Sequence, residues 1–288
     1  MKIGAHVSAS GGIDKSIDRA QEIGAEAIQL FISPPQGWRR TNHTDEAISA
    51  FKKKISDYEI GPIFFHGIYL INLATEKKEN LDKAIDSLIY NMNFAKEIGA
   101  QGVIFHVGSH KGAGIDAVID QIVESLQKIL SKSPDNGVWL CMENNAGHGN
   151  QIGSNFEELA LILDKVADER LKICLDTCHL LASGYDIAQQ HTLDIVMDNF
   201  EKIIGLDKLV AVHANDAKAG LGSKLDRHEN IGEGHIGMSG WKTIIAHDAF
   251  KKVPFFLEVP GFVDKKGPDL ENVQRLQVIR DSLNISSD

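Results

Sequence analysis

The stretch VWLCMENNAGHGNQIGSNFEELALILDKVADERLKICLD, residues 138–176, carries the pattern that decides the fold. It opens with a nearly continuous apolar run at 138–143 and closes with another at 172–176. Short continuous apolar runs are what strands look like when both faces are buried, as in a parallel sheet. Between them, 155–166 repeats apolar residues at helical spacing. Strand, helix, strand in that order is a βαβ unit.

The same unit repeats outward in both directions. Runs at 2–7, 26–31, 62–66, 102–107, 209–213 and 254–259 bring the strands to eight. Helical patterns fall between them. Ile13, Ile17, Ala20 and Ile23 share one face. Thr44 opens a helix with Asp45 and Glu46 in its first turn, where negative charge suits the helix dipole. Leu81, Ile85, Leu88, Met92 and Ala95 repeat across 77–98, and Gly99 follows as a cap. Segments 116–130, 191–204, 239–246 and 269–282 follow the same logic. Strict alternation predicts an α/β chain, a single (β/α)8 TIM barrel over residues 1–288, with an open doubly wound sheet as the alternative. No Pro/Gly/Ser linker or shift of composition marks a second domain. The loops after the third, fifth and seventh strands are long, 214–240 being the longest, and such loops build the active face of a barrel.

Composition narrows the class. The 288 residues are 43% hydrophobic and 24% charged, which is ordinary for a globular chain. Three cysteines cannot all pair, which disfavours a disulfide scaffold and suits a reducing compartment. The opening MKIGAHVSAS holds one Lys and no long apolar run, so no signal peptide is expected. No stretch approaches the ~18 apolar residues of a membrane span, so a cytoplasmic protein without a membrane partner is the expectation. A formal charge of −10 argues against a phosphate-backbone partner unless positive charge is focused on one face.

Most predicted strands end in a residue that can bind metal: His66, His106, Glu143, Asp176, His213 and Glu258. Strand C-termini of a barrel converge on one rim, so these side chains should meet. Three imidazoles and three carboxylates suit Zn²⁺ or Mn²⁺ better than Cu⁺ or an iron–sulfur cluster. One such residue alone reads as a buried, hydrogen-bonded polar group. Six in succession do not, because burying so many ionisable groups without a cation is costly. Asp176 and His179 stand three apart, and Asp226 and His228 alternate in a Gly-rich loop with few apolar anchors. Something other than a hydrophobic core must order that loop. Cys178 lies between two ligand-type residues, but neighbours on an extended segment point apart, so it reads as structural. Cys141 and Cys174 read as core. The sequence Gly232–Gly237 fits G-x-G-x-x-G, yet a charged loop precedes it where a dinucleotide site needs a strand, so its glycines read as turns.

Several motifs resemble one family. They are GAHVS at 4–8 with Gly11 and Gly12, His66 with YLINL at 69–73, FH at 105–106 with GSH at 108–110, and EN at 143–144 with AG at 146–147. DTCH at 176–179 with GYD at 184–186, His213 with NDAK at 215–218, DRH at 226–228 with IG at 231–232, and LE at 257–258 complete the series. Together they resemble endonuclease IV, the metal-dependent apurinic/apyrimidinic (abasic-site) DNA endonucleases, along the whole chain. The resemblance implies three Zn²⁺ per chain, or Mn²⁺ at one position. By that likeness His66, His106 and Glu143 hold one ion. Glu143 bridges to a second completed by Asp176, His213 and Glu258, and His179, Asp226 and His228 hold the third. Glu143 and Glu258 are the catalytic carboxylates beside a zinc-activated hydroxide, and the substrate is double-stranded DNA with abasic sites, cut 5′ to the lesion. Zn²⁺ lowers the pKa of bound water towards about 7, which makes hydroxide available at neutral pH.

DNA contacts are expected from Tyr69 and Leu70 as a wedge filling the place of the missing base, and from Gln36, Arg39 and Arg227. Gln36 stands where the family carries an Arg two residues before its Trp, here Trp38, and the arginines have moved to Arg39 and Arg40. Gly67 and Ile68 replace more polar residues, and VPG at 259–261 follows the last Glu. Three divalent ions would raise the formal charge from −10 to −4 and focus it beside Arg39, Arg40, Lys218, Lys224 and Arg227. A monomer suffices for this reading. The rival is a single-metal sugar isomerase or epimerase using Glu143, Asp176, His213 and Glu258, which leaves His66, His106, His179, Asp226 and His228 without a task.

Overall fold

The computed structural model describes residues 1–135 and 137–287. Its strands are β1 (Ile3–His6), β2 (Ile28–Leu30), β3 (Ile63–His66), β4 (Gly102–Phe105), β5 (Trp139–Glu143), β6 (Leu171–Asp176), β7 (Leu209–His213), β8 (Asp216–Ala217), β9 (His228–Glu229) and β10 (Phe255–Leu257). Eight of them close into a parallel barrel in the order β1-β10-β7-β6-β5-β4-β3-β2. Closure is made by β1, which pairs with β2 on one side and β10 on the other. This is the predicted TIM barrel, and the open-sheet alternative falls. The helices are α1 (Asp14–Glu22), α2 (Asp45–Tyr58), α3 (Lys78–Ile98), α4 (Ile119–Ser131), α5 (Phe156–Val166), α6 (Thr177–Ser183), α7 (Gln190–Ile203), α8 (Gly237–Ala246) and α9 (Leu270–Ser282). None of the described helices is long and apolar enough to cross a membrane.

Side chains alternate along a strand, so each barrel strand has an outer and an inner set. Phe65, Val103, Leu140, Ile173, Val212 and Phe255 face the helices within the larger core. Ala27, Phe64, Ile104, Cys141, Cys174, Ala211 and Phe256 form a separate cluster that plugs the barrel interior. One period of two further towards the C-terminal rim come Gln29, His66, His106, Glu143, Asp176, His213 and Glu258. The same step from Gly4 reaches His6, and a Cβ on Gly4 would stand 2.4 Å from the Ala27 carbonyl oxygen, so β1 and β2 meet closely there. Every strand thus delivers one polar residue to a ring above an apolar plug.

The boundaries differ from expectation where side chains replace the ladder. The runs 102–107 and 254–259 end as strands at Phe105 and Leu257, placing His106 and Glu258 one residue beyond. The Glu258 N–H donates to Asn215 Oδ1 at 2.8 Å instead of to a neighbouring strand. Segment 116–130 divides at Val118 into a 3₁₀ turn and α4. α6 was not anticipated. It starts directly at the end of β6, with the Asp176 carboxylate accepting from the His179 N–H at 2.8 Å as its cap. The expected Thr44 cap is present, and Gly99 takes the left-handed conformation that ends α3.

Candidate metal centre

The ring at the rim, joined by α6 and the loop after β7, brings all nine predicted ligand residues together. Glu143 lies at the centre. Its Oε2 is 3.3 Å from His66 Nε2 and 3.4 Å from His106 Nε2. Its Oε1 is 3.0 Å from His213 Nδ1 and 3.2 Å from His179 Nδ1. His213 Nδ1 also faces Glu258 Oε2 at 3.6 Å and Asp176 Oδ2 at 3.9 Å. Asp226 reaches in from the loop, with His179 Nε2 and His228 Nε2 each 3.2 Å from its two oxygens.

Ligand atoms within 4.8 Å of one another form His66–His106–Glu143, Glu143–Asp176–His213–Glu258 and His179–Asp226–His228 groups. His66–His213–Glu258 and Asp176–Cys178–His228 also meet that spacing. Burial nevertheless keeps the Cys178 thiol protonated, its pKa pushed up to about 12. The expectation that 176–179 is extended is corrected: α6 is helical, so Asp176 and His179 share a face while the Cys178 Sγ turns to the Arg227 carbonyl at 3.6 Å.

The imidazoles are oriented from behind. A carbonyl oxygen can only accept, so a ring nitrogen facing one carries the proton. His66 Nδ1 donates to the Gly67 carbonyl at 2.6 Å, and His179 Nδ1 to the Asn144 carbonyl at 2.9 Å. His228 Nδ1 donates to the Glu258 carbonyl at 3.3 Å. In each case Nε2 is the nitrogen left facing the cluster carboxylates, where an ion could take it as a ligand. Metal-binding histidines characteristically carry such a second hydrogen bond.

The inward atoms fit a cation. Among the described residues, Glu143 Oε1, His179 Nε2, His213 Nδ1 and His106 Nδ1 are buried without a hydrogen-bond partner. Each such atom costs about 1–3 kcal/mol if nothing satisfies it. The first three point into the cluster, where lone pairs of carboxylate and imidazole converge. All are N or O donors, the set that borderline divalent ions take.

The charges are mutually matched. Burial would raise the Glu143 carboxyl, but His106, His213 and His179 outweigh it and hold it well below its ordinary range. Glu258 and Asp226 are also lowered against burial, by His213 and His6 in one case and by His179 and His228 in the other. Burial would lower His179, His213 and His228, yet neighbouring acidic groups raise all three, His228 to about 9. His106 is lowered, with burial the dominant cause.

The loop after β7 is ordered mainly by hydrogen bonds. β8 and β9 pair antiparallel, setting Ala217 opposite His228. The buried Asp216 carboxylate accepts from the N–H groups of Ala217, Gly232, Ile236 and Gly237 and from Trp241 Nε1, at 2.8–3.2 Å. A Cβ on Gly234 would stand 2.4 Å from Asp216 Oδ1. Of the G-x-G-x-x-G glycines, Gly232 and Gly234 lie in turns and bends as expected, while Gly237 opens α8; the segment wraps the Asp216 carboxylate that the chain itself supplies.

Of the expected DNA contacts, Tyr69 lines a cleft of about 610 Å³ whose walls also include His6, Phe31, His228, Glu258 and Lys266. Tyr69 and the next residue, Leu70, are exposed, and the Tyr69 N–H is tied to the Pro35 carbonyl at 2.9 Å. Gln36 and Arg227 are exposed. Arg39 and Arg40 correct the expectation that both flank the cleft. They line a separate hollow against α3, where the Arg40 guanidinium donates to the Asp86 carbonyl at 3.0 Å and covers the Tyr90 ring at 4.8 Å. A local packing partner captures the charge.

Four residues escaped prediction as parts of the site. Asn144 Oδ1 accepts from the Asp176 N–H and Asn215 Nδ2 donates to Asp176 Oδ2, both at 2.6 Å. His6 Nδ1 lies 3.0 Å from Glu258 Oε1. Gln29 Nε2 donates to the same oxygen at 2.6 Å. The signal for the last two was the period of two from Gly4 and Ala27.

A TIM barrel with a histidine–carboxylate cluster on its C-terminal rim defines the class, and residues 17–283 match the model of the xylose isomerase-like TIM barrels. A probable endonuclease 4 from Halothermothrix orenii is 42% identical over 277 residues, covering 96% of this chain and 99% of that protein. One from Staphylococcus aureus (strain Newman) is 40% identical over 264 residues, covering 90% of this chain and 88% of that protein. The chain belongs to the endonuclease IV family. The crystal structure of endonuclease IV from Thermus thermophilus superposes with a TM-score of 0.84 at 30% identity, covering 99% of this chain and 100% of that one. A D-tagatose 3-epimerase-like protein, at TM-score 0.71 and 18% identity over 99% of this chain and 98% of that one, shares the fold alone.

Proposed function

We propose that this chain is a DNA-repair hydrolase that cuts the phosphodiester bond 5′ to an abasic site, leaving 3′-hydroxyl and 5′-deoxyribose phosphate ends. Residues 1–288 would act as one barrel domain, as a monomer in the cytoplasm, on double-stranded DNA. The carrying observation is that nine ligand-type side chains meet around Glu143 in three groups, five more residues than a one-metal site uses. His66, His106 and Glu143 would hold one ion, Glu143, Asp176, His213 and Glu258 a second, and His179, Asp226 and His228 a third. Three Zn²⁺, or Mn²⁺ at one position, would polarise the phosphate and make water nucleophilic at neutral pH.

The chain's own residues supply the rest. Glu143 presents one oxygen to each half of the cluster, a geometry suited to bridging. Glu258 is the cluster carboxylate that lines the cleft, where it would help hold the ion and act beside the hydroxide that the ion makes available. Tyr69 and Leu70 fill the gap left by the lost base, while Gln36 and Arg227 contact the backbone. The test is incubation with an abasic duplex beside an intact one, with and without chelator. Chelator-sensitive incision of the abasic strand alone is expected, and a full rate after exhaustive chelation sinks the reading. The sugar epimerase reading keeps one support, since Glu143, Asp176, His213 and Glu258 form a complete group by themselves. Metal content separates the two, near three per chain for the nuclease and near one for the epimerase.

A further inference from the structure

Two of the eight barrel strands deliver residues to the rim that are outside the nine proposed ligands, β1 with His6 and β2 with Gln29. Gln29 is fully buried, and both ends of its amide are engaged. Its Nε2 donates to Glu258 Oε1 at 2.6 Å and lies 2.9 Å from His6 Nδ1. Its Oε1 is 2.7 Å from His213 Nε2. The two ends are not interchangeable. A carboxylate needs a donor, so the NH₂ group faces Glu258 and the oxygen must face His213. His213 therefore carries a proton on Nε2 and presents Nδ1 inward, towards Glu143 at 3.0 Å and Glu258 Oε2 at 3.6 Å, as the nitrogen open to an ion.

We propose that Gln29 is a positioning residue that sets the His213 tautomer and the Glu258 carboxylate together, so that both present their free atoms to one ion. The carboxylate has few other anchors, since the Glu258 backbone is held by Asn215 while its Oε1 meets only Gln29 and His6 among the described residues. The barrel seam explains the placement. Gln29 sits on β2, and its two partners come from β7 and β10, on the far side of β1. One amide thus spans the strands across which the barrel closes. Partners of this kind commonly change metal affinity by about 10- to 100-fold.

The inference rests on the reading of His213 and Glu258 as ligands, and the experiment separates the two. Zinc binding by equilibrium dialysis would be compared for the natural protein, Gln29→Met, Gln29→Glu and His213→Ala. Histidine ring NMR would report the His213 Nε2–H proton. Gln29→Met should weaken one of the ions about 10- to 100-fold, leave the others in place and shift or broaden that proton. Gln29→Glu keeps an acceptor against His213, so the proton signal should persist while the same ion is weakened by carboxylate repulsion at Glu258. Unchanged zinc affinity in folded Gln29→Met overturns the proposal. If metal-stripped Gln29→Met does not fold by circular dichroism, unchanged affinity in Gln29→Glu overturns it instead. If His213→Ala binds zinc like the natural protein, the ligand reading itself fails and the proposal falls with it.

Discussion

His228 and Tyr69 show how far single residues can be reasoned about. The His228 imidazole is held against Asp226 and Asp176, and its pKa is raised to about 9. A raised pKa contributes stability that is complete below the unfolded value of about 6.5 and is lost as pH climbs through the folded value. Metal-stripped protein should therefore lose stability between about pH 6.5 and 9. The loss is at most about 3 kcal/mol, reduced by solvent screening at the half-exposed Asp226. Zinc-loaded protein should not show this loss, because the ion replaces the proton. Thermal melts of both forms across that range test it, and a flat profile for the stripped form would contradict it. Tyr69 stands exposed with its ring 5.2 Å from Phe31 in an edge contact. Tyr69→Ala should leave the fold intact and reduce preference for abasic over intact duplex about 10- to 100-fold, the scale of one lost stacking contact of about 1–3 kcal/mol. Competition binding with the two duplexes measures it.

Two residues of the proposed third ligand group, Asp226 and His228, sit on the loop after β7, where a buried carboxylate gathers the backbone. Asp216 gathers five donors from β8, the glycine turns and α8. Asp216→Asn turns one acceptor into a donor among donors. It should cost about 1–3 kcal/mol and raise hydrogen exchange selectively over residues 216–237. It should also lower zinc content by one, since Asp226 and His228 ride on that loop. Uniform exchange across the barrel with zinc fully retained would show that the cradle has no such role. Much at this scale was legible from the chain alone. Buried parallel strands stand out because both faces are apolar, and a His or carboxylate at the end of such a run breaks the pattern visibly. α6 was not legible, because it follows β6 without a break and is too short to show a period. The role of Asp216 was not legible, because most of its donors, at Gly232, Ile236, Gly237 and Trp241, lie well beyond it in the chain.

For the whole molecule, the net charge of −10 and a DNA substrate are reconciled by position. Four carboxylates and five histidines able to hold metal are concentrated on one rim, so divalent ions would reverse the local sign there and leave the rest acidic. Chelation should lower the melting temperature and weaken binding even to abasic duplex, and both should recover on adding Zn²⁺ but not on lowering salt. Recovery by low salt alone would place the binding energy elsewhere than at the rim.

The amino-acid sequence by itself determined the alternation of strands and helices, hence the barrel, and the residue types at six strand ends. These are local properties, read from apolar period and from polar residues that interrupt it. Only the tertiary structure decided which nitrogen of each histidine faces inward, that His6 and Gln29 complete the ring, and that Arg40 turns to α3. Apart from His66, which is turned by the neighbouring Gly67 carbonyl, these depend on partners far away in the chain, such as Gln29 with His213 and Glu258, or Arg40 with Asp86. The Gln29 bonds exist because the barrel closes through β1, and closure is a property of all eight strands together.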